Sequence, residues 1–145
     1  MRKLISYVII IFLALNVLTA PAMASDRSFK YTIHFDDGSY AVVTCYSSLT
    51  RSTTNERKNY TYYNPLNQRC FAYTLYASFT YNGITSQADS CEYATEIFRY
   101  GWDMAAHSEY VSGNTAYGNA TFTGPNGQVR TASLTLTCDK SGNVT

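Results

Sequence analysis

The stretch CFAYTLYASFTYNG, Cys70 to Gly83, carries Phe71, Tyr73, Leu75, Ala77, Phe79 and Tyr81 at every second position and ends at Asn82-Gly83. Side chains alternate across a strand, so this spacing gathers apolar and aromatic groups on one side of an extended chain. A face this apolar is driven out of water, and the chain is expected to fold as paired strands with that face inside. Asn-Gly is a strong hairpin signal. A two-residue turn there sets Tyr81 opposite Ile84 and Thr74 opposite Cys91, and adds Ile84, Ala88 and Ala94 to the inner side.

Two more hairpins follow from the same pattern. Phe29 to Phe35 and Tyr40 to Tyr46 alternate around Asp36-Asp37-Gly38. A turn at Asp37-Gly38 sets Phe35 opposite Tyr40 and Ile33 opposite Val42, which gathers Phe29, Tyr31, Ile33, Phe35, Tyr40, Val42 and Tyr46 inside and leaves Lys30, Thr32 and His34 outside. Near the end, a five-residue loop at Gly124 to Gln128, or a bulge there, groups Ala116, Gly118, Ala120 and Phe122 with Ala132, Leu134, Leu136 and Cys138, small residues against two leucines. Ser47 to Arg69 reads as polar and irregular apart from a strand at Tyr60 to Tyr63. Trp102 to Tyr110 alternates as a strand does, with a short helix as the other option. The expected fold is all-β: an antiparallel β-sandwich or partly open barrel of about seven to eight strands with disulfides.

The chain opens with Arg2 and Lys3, an apolar run from Leu4 to Ala20, and the small-x-small site Ala22-Met23-Ala24. That is the layout of a secretory signal peptide over residues 1–24, cut before Ser25; the run is short for a membrane span. Residues 25–145 are then one secreted domain with no stable membrane anchor. Without Arg2 and Lys3 the 11 basic residues become 9 against 10 acidic ones, a balance with no bulk attraction for nucleic acid. Cys45, Cys70, Cys91 and Cys138 all lie in the secreted part, and four cysteines in a small exported domain read as two disulfides. Cys70 and Cys91 stand too far apart in the second hairpin to pair, which leaves two connectivities; Cys45–Cys70 with Cys91–Cys138 is the one expected.

From Ser112 the chain reads SGNTAYGNATF, and from Ala132 ASLTLTCDKSGN. With TSQADSC and the aromatic hairpin, these segments resemble a group of small exported β-rich proteins of Gram-positive bacteria. The resemblance covers roughly the C-terminal half, from Tyr81 onward. It implies secretion and a β fold, and it carries over no active site.

Candidate chemistry is sparse. His34 beside Asp36 and Asp37 is explained by a turn that favours aspartate. His107 with Asp103 and Glu109 shares a parity on a strand, but as the polar side of an amphipathic segment. No serine sits in Gly-x-Ser-x-Gly. Asp139-x-Ser141-x-Asn143 has the opening spacing of a calcium loop and reads better as a turn. Arg51, Arg57, Lys58 and Arg69 flank Tyr60, Tyr62 and Tyr63, and tyrosine supplies contact area at low entropic cost. Tyr60, Tyr62, Tyr63, Tyr76, Tyr93 and Tyr117 are therefore the candidate binding surface. No catalytic residue, cofactor or metal is expected. The expected activity is a non-catalytic binding module for a surface glycan or protein, with a bacteriocin-like or toxin-like antagonist and a hydrolytic enzyme as the alternatives.

Overall fold

A computed structural model describes residues 26–48 and 53–145; the signal segment and Arg51 lie outside the described residues. Among these residues the strands are β1 Asp26–His34, β2 Tyr40–Ser48, β3 Thr53–Tyr63, β4 Arg69–Tyr81, β5 Ser86–Ile97, β6 Asp103–Ser112, β7 Thr115–Thr123 and β8 Val129–Thr137. They form two antiparallel meanders, a five-stranded sheet in the order β1-β2-β3-β4-β5 and a three-stranded sheet in the order β6-β7-β8. No helix among the described residues is long and apolar enough to cross a membrane.

The inner ladder of β4 organises both sheets. Phe71, Tyr73, Leu75 and Phe79 are fully buried, and they share one core with Ala116, Ala120, Phe122, Ala132, Leu134 and Leu136 of the smaller sheet. Phe71 stacks on Phe122 across the two sheets, with ring centroids 3.9 Å apart. Trp102, just before β6, closes over Phe71 at 5.0 Å and Tyr62 at 5.2 Å. Large side chains on one sheet thus meet small ones on the other, which lets the two approach closely.

The last hairpin has the register its pattern demands: Thr123 faces Val129 across the five-residue loop, and Gly118 faces Leu134. The first two hairpins differ from expectation because acidic and amide side chains lengthen their turns. Asp37 Oδ1 accepts the Ser39 N–H at 3.0 Å, so His34 faces Tyr40 and Ile33 faces Ala41. This one-residue shift sends Tyr40, Val42 and Tyr46 outward and brings Ala41, Val43 and Cys45 into the core. Phe29, Tyr31 and Ile33 do point to the inner side, yet on the edge strand they stay 45, 46 and 38 % exposed. Asn82 Oδ1 accepts from the N–H groups of Ile84 and Thr85 at 2.9 and 2.8 Å. Tyr81 therefore faces Ser86, and Ile84 is left exposed in the turn.

Three bulges shift facing further. In β4 Cys70 is the extra residue, since Tyr62 faces Phe71 and Tyr63 faces Arg69. Asp89 is extra in β5, because Phe79 faces Ala88 and Ser78 faces Ser90, and Ala105 is extra in β6. Each bulge reverses which parity points inward. Hence Ala77, not Thr74, faces Cys91, and Thr74 faces the exposed Ala94.

All four cysteines are free thiols, which corrects the expected disulfides. Cys45 lies in β2, level with Leu75 in β4 through Lys58. Cys70 is therefore five positions along and two strands across from it, roughly 18 Å by strand spacing, beyond the reach of a disulfide. The Cys138 carbonyl meets the Ser86 hydroxyl at 2.7 Å, whereas Cys91 lies five residues further along β5.

Polar contacts also fasten the sheets together. Lys58, buried on the inner face of β3, donates to the Thr135 carbonyl of β8 at 2.7 Å. At the other end Arg130 of β8 pairs with Asp37 and donates to the Tyr62 hydroxyl at 3.2 Å.

A Cβ added to Gly118 would stand 2.7 Å from the Tyr73 hydroxyl and 2.9 Å from Leu75 Cδ1. Gly118→Val is expected to lower the stability measured by urea unfolding by about 1–3 kcal/mol, as overpacked cores do. Thr131→Val, on the solvent side of β8, should stay within about 0.5 kcal/mol. An unchanged midpoint for Gly118→Val would mean that β7 does not meet β4 there.

Candidate functional site

The outward face of the five-stranded sheet displays rings beside charged side chains. Register lines up its side chains in rows that cross the strands. Tyr46 of β2, Arg57 of β3, Tyr76 of β4 and Glu92 of β5 form one row. The next row holds Thr44, Asn59, Thr74 and Ala94, and the one beyond it Val42, Thr61, Ala72 and Glu96. On the other flank stand Asn55, Ser78 and Ser90. Small residues thus floor the face and larger ones rise from it.

The Tyr46–Arg57–Tyr76 row separates two adjoining depressions. One, of about 630 Å³, reaches over Asn55, Ser78 and Ser90 to Glu92. The other, of about 280 Å³, extends over Asn59, Thr61 and Thr74 to Arg69, Glu96 and Phe98. Tyr46 and Tyr76 remain 41 and 37 % exposed, although apolar rings gain by burial. The Arg57 guanidinium lies 4.3 Å from the centre of the Tyr46 ring, and Arg69 lies at the same distance over Phe98. Such stacking fixes a guanidinium while leaving its N–H donors available. The floor is also ordered: Asn59 Nδ2 donates to Thr74 Oγ1 at 2.8 Å, and Thr61 Oγ1 donates to Asn59 Oδ1 at 2.7 Å.

The tyrosines singled out from sequence do not form one surface. Tyr76 lies on this face. Tyr63 also points outward and stacks on Tyr40 at 4.8 Å, beyond the second depression. Tyr60 and Tyr62 are buried in the core at 3 and 1 % exposure, which corrects their assignment to a binding surface: they share the inner parity of β3 with Thr54, Glu56 and Lys58. Tyr93 is half-buried on the inner side of β5, because the Asp89 bulge turns it there. Tyr117 lies on the outer side of the smaller sheet, stacked on Tyr110 at 4.8 Å. Tyr46 was missed as a surface ring, since the expected turn placed it inside.

His107 and Glu109 also change sides. After the Ala105 bulge they face inward, toward β5. The Glu109 carboxylate is 3.0 Å from His107 Nδ1, and the Tyr93 hydroxyl is 3.1 Å from Nε2. A carboxylate-oriented imidazole is the core of a general base, but here its second nitrogen is engaged by a phenol of the neighbouring strand. The three side chains clasp β5 to β6. Asp103 stands apart at the start of β6, accepting the Met104 N–H at 2.9 Å.

Other candidates resolve as structure. The Asp37 carboxyl is held below the usual range by the Ser39 hydroxyl and N–H, with Arg130 adding to the effect. His34 lies on the outer side, 6.0 Å from the Tyr40 ring. Asp139 accepts from the Ser141 and Asn143 N–H groups at 2.8 and 2.9 Å and from the Asn143 amide at 2.9 Å, so its carboxylate is spent on a turn. Burial pushes all four cysteine thiols up, Cys138 to about 11, which makes them poor nucleophiles. Among the described residues no three His, Cys, Asp or Glu side chains converge as metal ligands.

No protein-family model, no curated protein and no solved structure matches the chain.

The buried hydroxyls of Tyr60 and Tyr73 give a pH signature. Burial raises both to about 12 from an ordinary 10. Between those values the unfolded chain has released protons that the folded chain keeps, so stability falls as pH rises from 10 toward 12 and is fully present below 10. Ultraviolet titration with denaturant melts at each pH should show this loss, and Tyr60→Phe together with Tyr73→Phe should flatten it. An undiminished loss in the double variant would show that other groups cause it.

Proposed function

We propose that the chain is an exported, non-catalytic binding module in which the two sheets act as the layers of a β-sandwich and the outward face of the β1–β5 layer takes the ligand. The observation that carries this reading is the row Tyr46–Arg57–Tyr76, whose two rings stay exposed between two depressions in the middle of an ordered sheet. Concave sites with a few convergent polar groups are where ligands bind. Rings held by rigid strands give contact area without the entropy cost of ordering a loop.

Export is supported by the layout of residues 1–24 and by the resemblance to exported proteins of Gram-positive bacteria. It is also compatible with four reduced cysteines, because burial raises all four thiol pKa values and three of the four side chains are buried. The partner is a component of a cell surface or the extracellular space. The His107 set does not favour an enzyme, since it closes on Tyr93.

Fluorescently labelled protein lacking residues 1–24 should bind washed Gram-positive cells or their isolated envelopes saturably. Tyr46→Ala combined with Tyr76→Ala should weaken this binding by about tenfold or more, the loss expected for central aromatic contacts. Tyr110→Ala, which removes an exposed ring from the other sheet, should leave it unchanged. Binding that is non-saturable, or equal in all three proteins, contradicts the proposal.

A further inference from the structure

We infer that the ligand of this face is a neutral glycan chain, with one sugar ring seated on Tyr76 between Arg57 and Glu92; this rests on the outward face of the five-stranded sheet being the binding face. Arg57, Tyr76 and Glu92 are cross-strand neighbours on β3, β4 and β5. With strands about 4.8 Å apart, the charged residues flank the ring at roughly 10 Å from backbone to backbone. That gap separates them from each other and accommodates one pyranose ring. Among the described residues Arg57 has no ionic partner, only the Tyr46 ring, and Glu92 has neither an ion pair nor a side-chain hydrogen bond.

A guanidinium only donates hydrogen bonds and a carboxylate only accepts them. A ligand satisfying both across one ring must carry groups that accept and donate, which a hydroxyl does. A phosphate, sulfate or carboxylate chain would meet Glu92 and Glu96, and a polycation would meet Arg57 and Arg69. The face as a whole therefore selects against both signs of charge. The C–H face of a sugar suits an exposed tyrosine ring, and its edge hydroxyls suit the flanking charges and the ordered Asn59–Thr74 floor.

A peptide fits less well. Extended peptides dock by adding to a sheet edge, where backbone groups are unpaired, and β3 and β4 have neighbours on both sides. The floor between the rings carries Asn55, Asn59, Thr61, Thr74, Ser78 and Ser90 beside the small apolar Ala72 and Ala94, so it offers hydrogen bonds along most of its length. From Asn55 to Tyr63 the face runs roughly 26 Å along β3 at the usual rise. A single sugar covers the Tyr76 row alone, so affinity should grow with chain length.

The test is calorimetric titration of the protein lacking residues 1–24 with neutral gluco-, manno-, galacto- and N-acetylhexosamine oligosaccharides of increasing length and with the neutral polysaccharide fraction of cell envelopes. Sulfated oligosaccharides and single-stranded DNA serve as charged probes. The expected result is binding of at least one neutral series, tightening with length, insensitive to salt, and absent for the charged probes. Tyr76→Ala should weaken it by about tenfold or more, Arg57→Ala and Glu92→Gln by roughly threefold to tenfold each, and Tyr76→Phe by less than about threefold. Thermal melts confirm that each variant is folded. If no neutral glycan binds while cell binding still depends on Tyr46 and Tyr76, the ligand class is wrong and the face stands. If a glycan binds equally well to Tyr76→Ala, the seat is wrong. If cell binding ignores both tyrosines, the face itself is wrong.

Discussion

The contact between the β4 ladder and the small-residue face of β7 and β8 is the constraint on which this structure depends. Phe71, Tyr73, Leu75 and Phe79 are too large to face an equally bulky sheet at close range. They meet Ala116, Gly118, Ala120 and Ala132 instead, with Phe122 and the two leucines filling the spaces between. Removing that apolar surface from water is the dominant favourable contribution to folding. It also fixes which side of β3, β4 and β5 is left over. The outward face is free to carry Arg57, Tyr76 and Glu92 because it contributes nothing to the core.

That division was legible in the sequence wherever the alternation ran unbroken. The last hairpin shows this best: its small-against-large pattern rules out a two-residue turn, and the grouping it demands is the one found. Reading failed at side chains that capture backbone N–H groups. Asp37 and Asn82 each extend a turn by doing so, and two-residue turns cannot be told from longer ones by an Asp-Gly or Asn-Gly pair alone. The bulges at Cys70, Asp89 and Ala105 each insert one residue and invert everything after it. Nothing in the local composition marks those positions. The N-terminal part of β3 was missed for another reason. Its inward residues Thr54, Glu56 and Lys58 are polar, so the segment looked like a loop.

The candidate site inherited these errors. Tyr76 lies on an unbroken stretch of β4 and was placed outside correctly. A two-residue first turn puts Tyr46 in the interior, one register from its place, whereas the loop-like composition around Tyr60 and Tyr62 hides the strand that buries them. Arg57 was noted for its charge, but its value lies in its row, and rows exist only once three strands are in register.

The buried polar groups show how the fold tolerates such an inner face. Burial lowers the Lys58 pKa, and its ammonium is directed to the Thr135 carbonyl of β8, which has no strand neighbour on that side. A satisfied charge there both ties the sheets together and blunts an edge that would otherwise invite another strand. The inside-outside partition of the rings is the central claim, and nitration of the folded protein with tetranitromethane, mapped by peptide mass spectrometry, tests it most directly. Tyr46, Tyr76 and the fully exposed Tyr100 should be modified while Tyr60, Tyr62 and Tyr73 are spared. Ready modification of Tyr62 or Tyr73 alongside a protected Tyr76 would contradict the account.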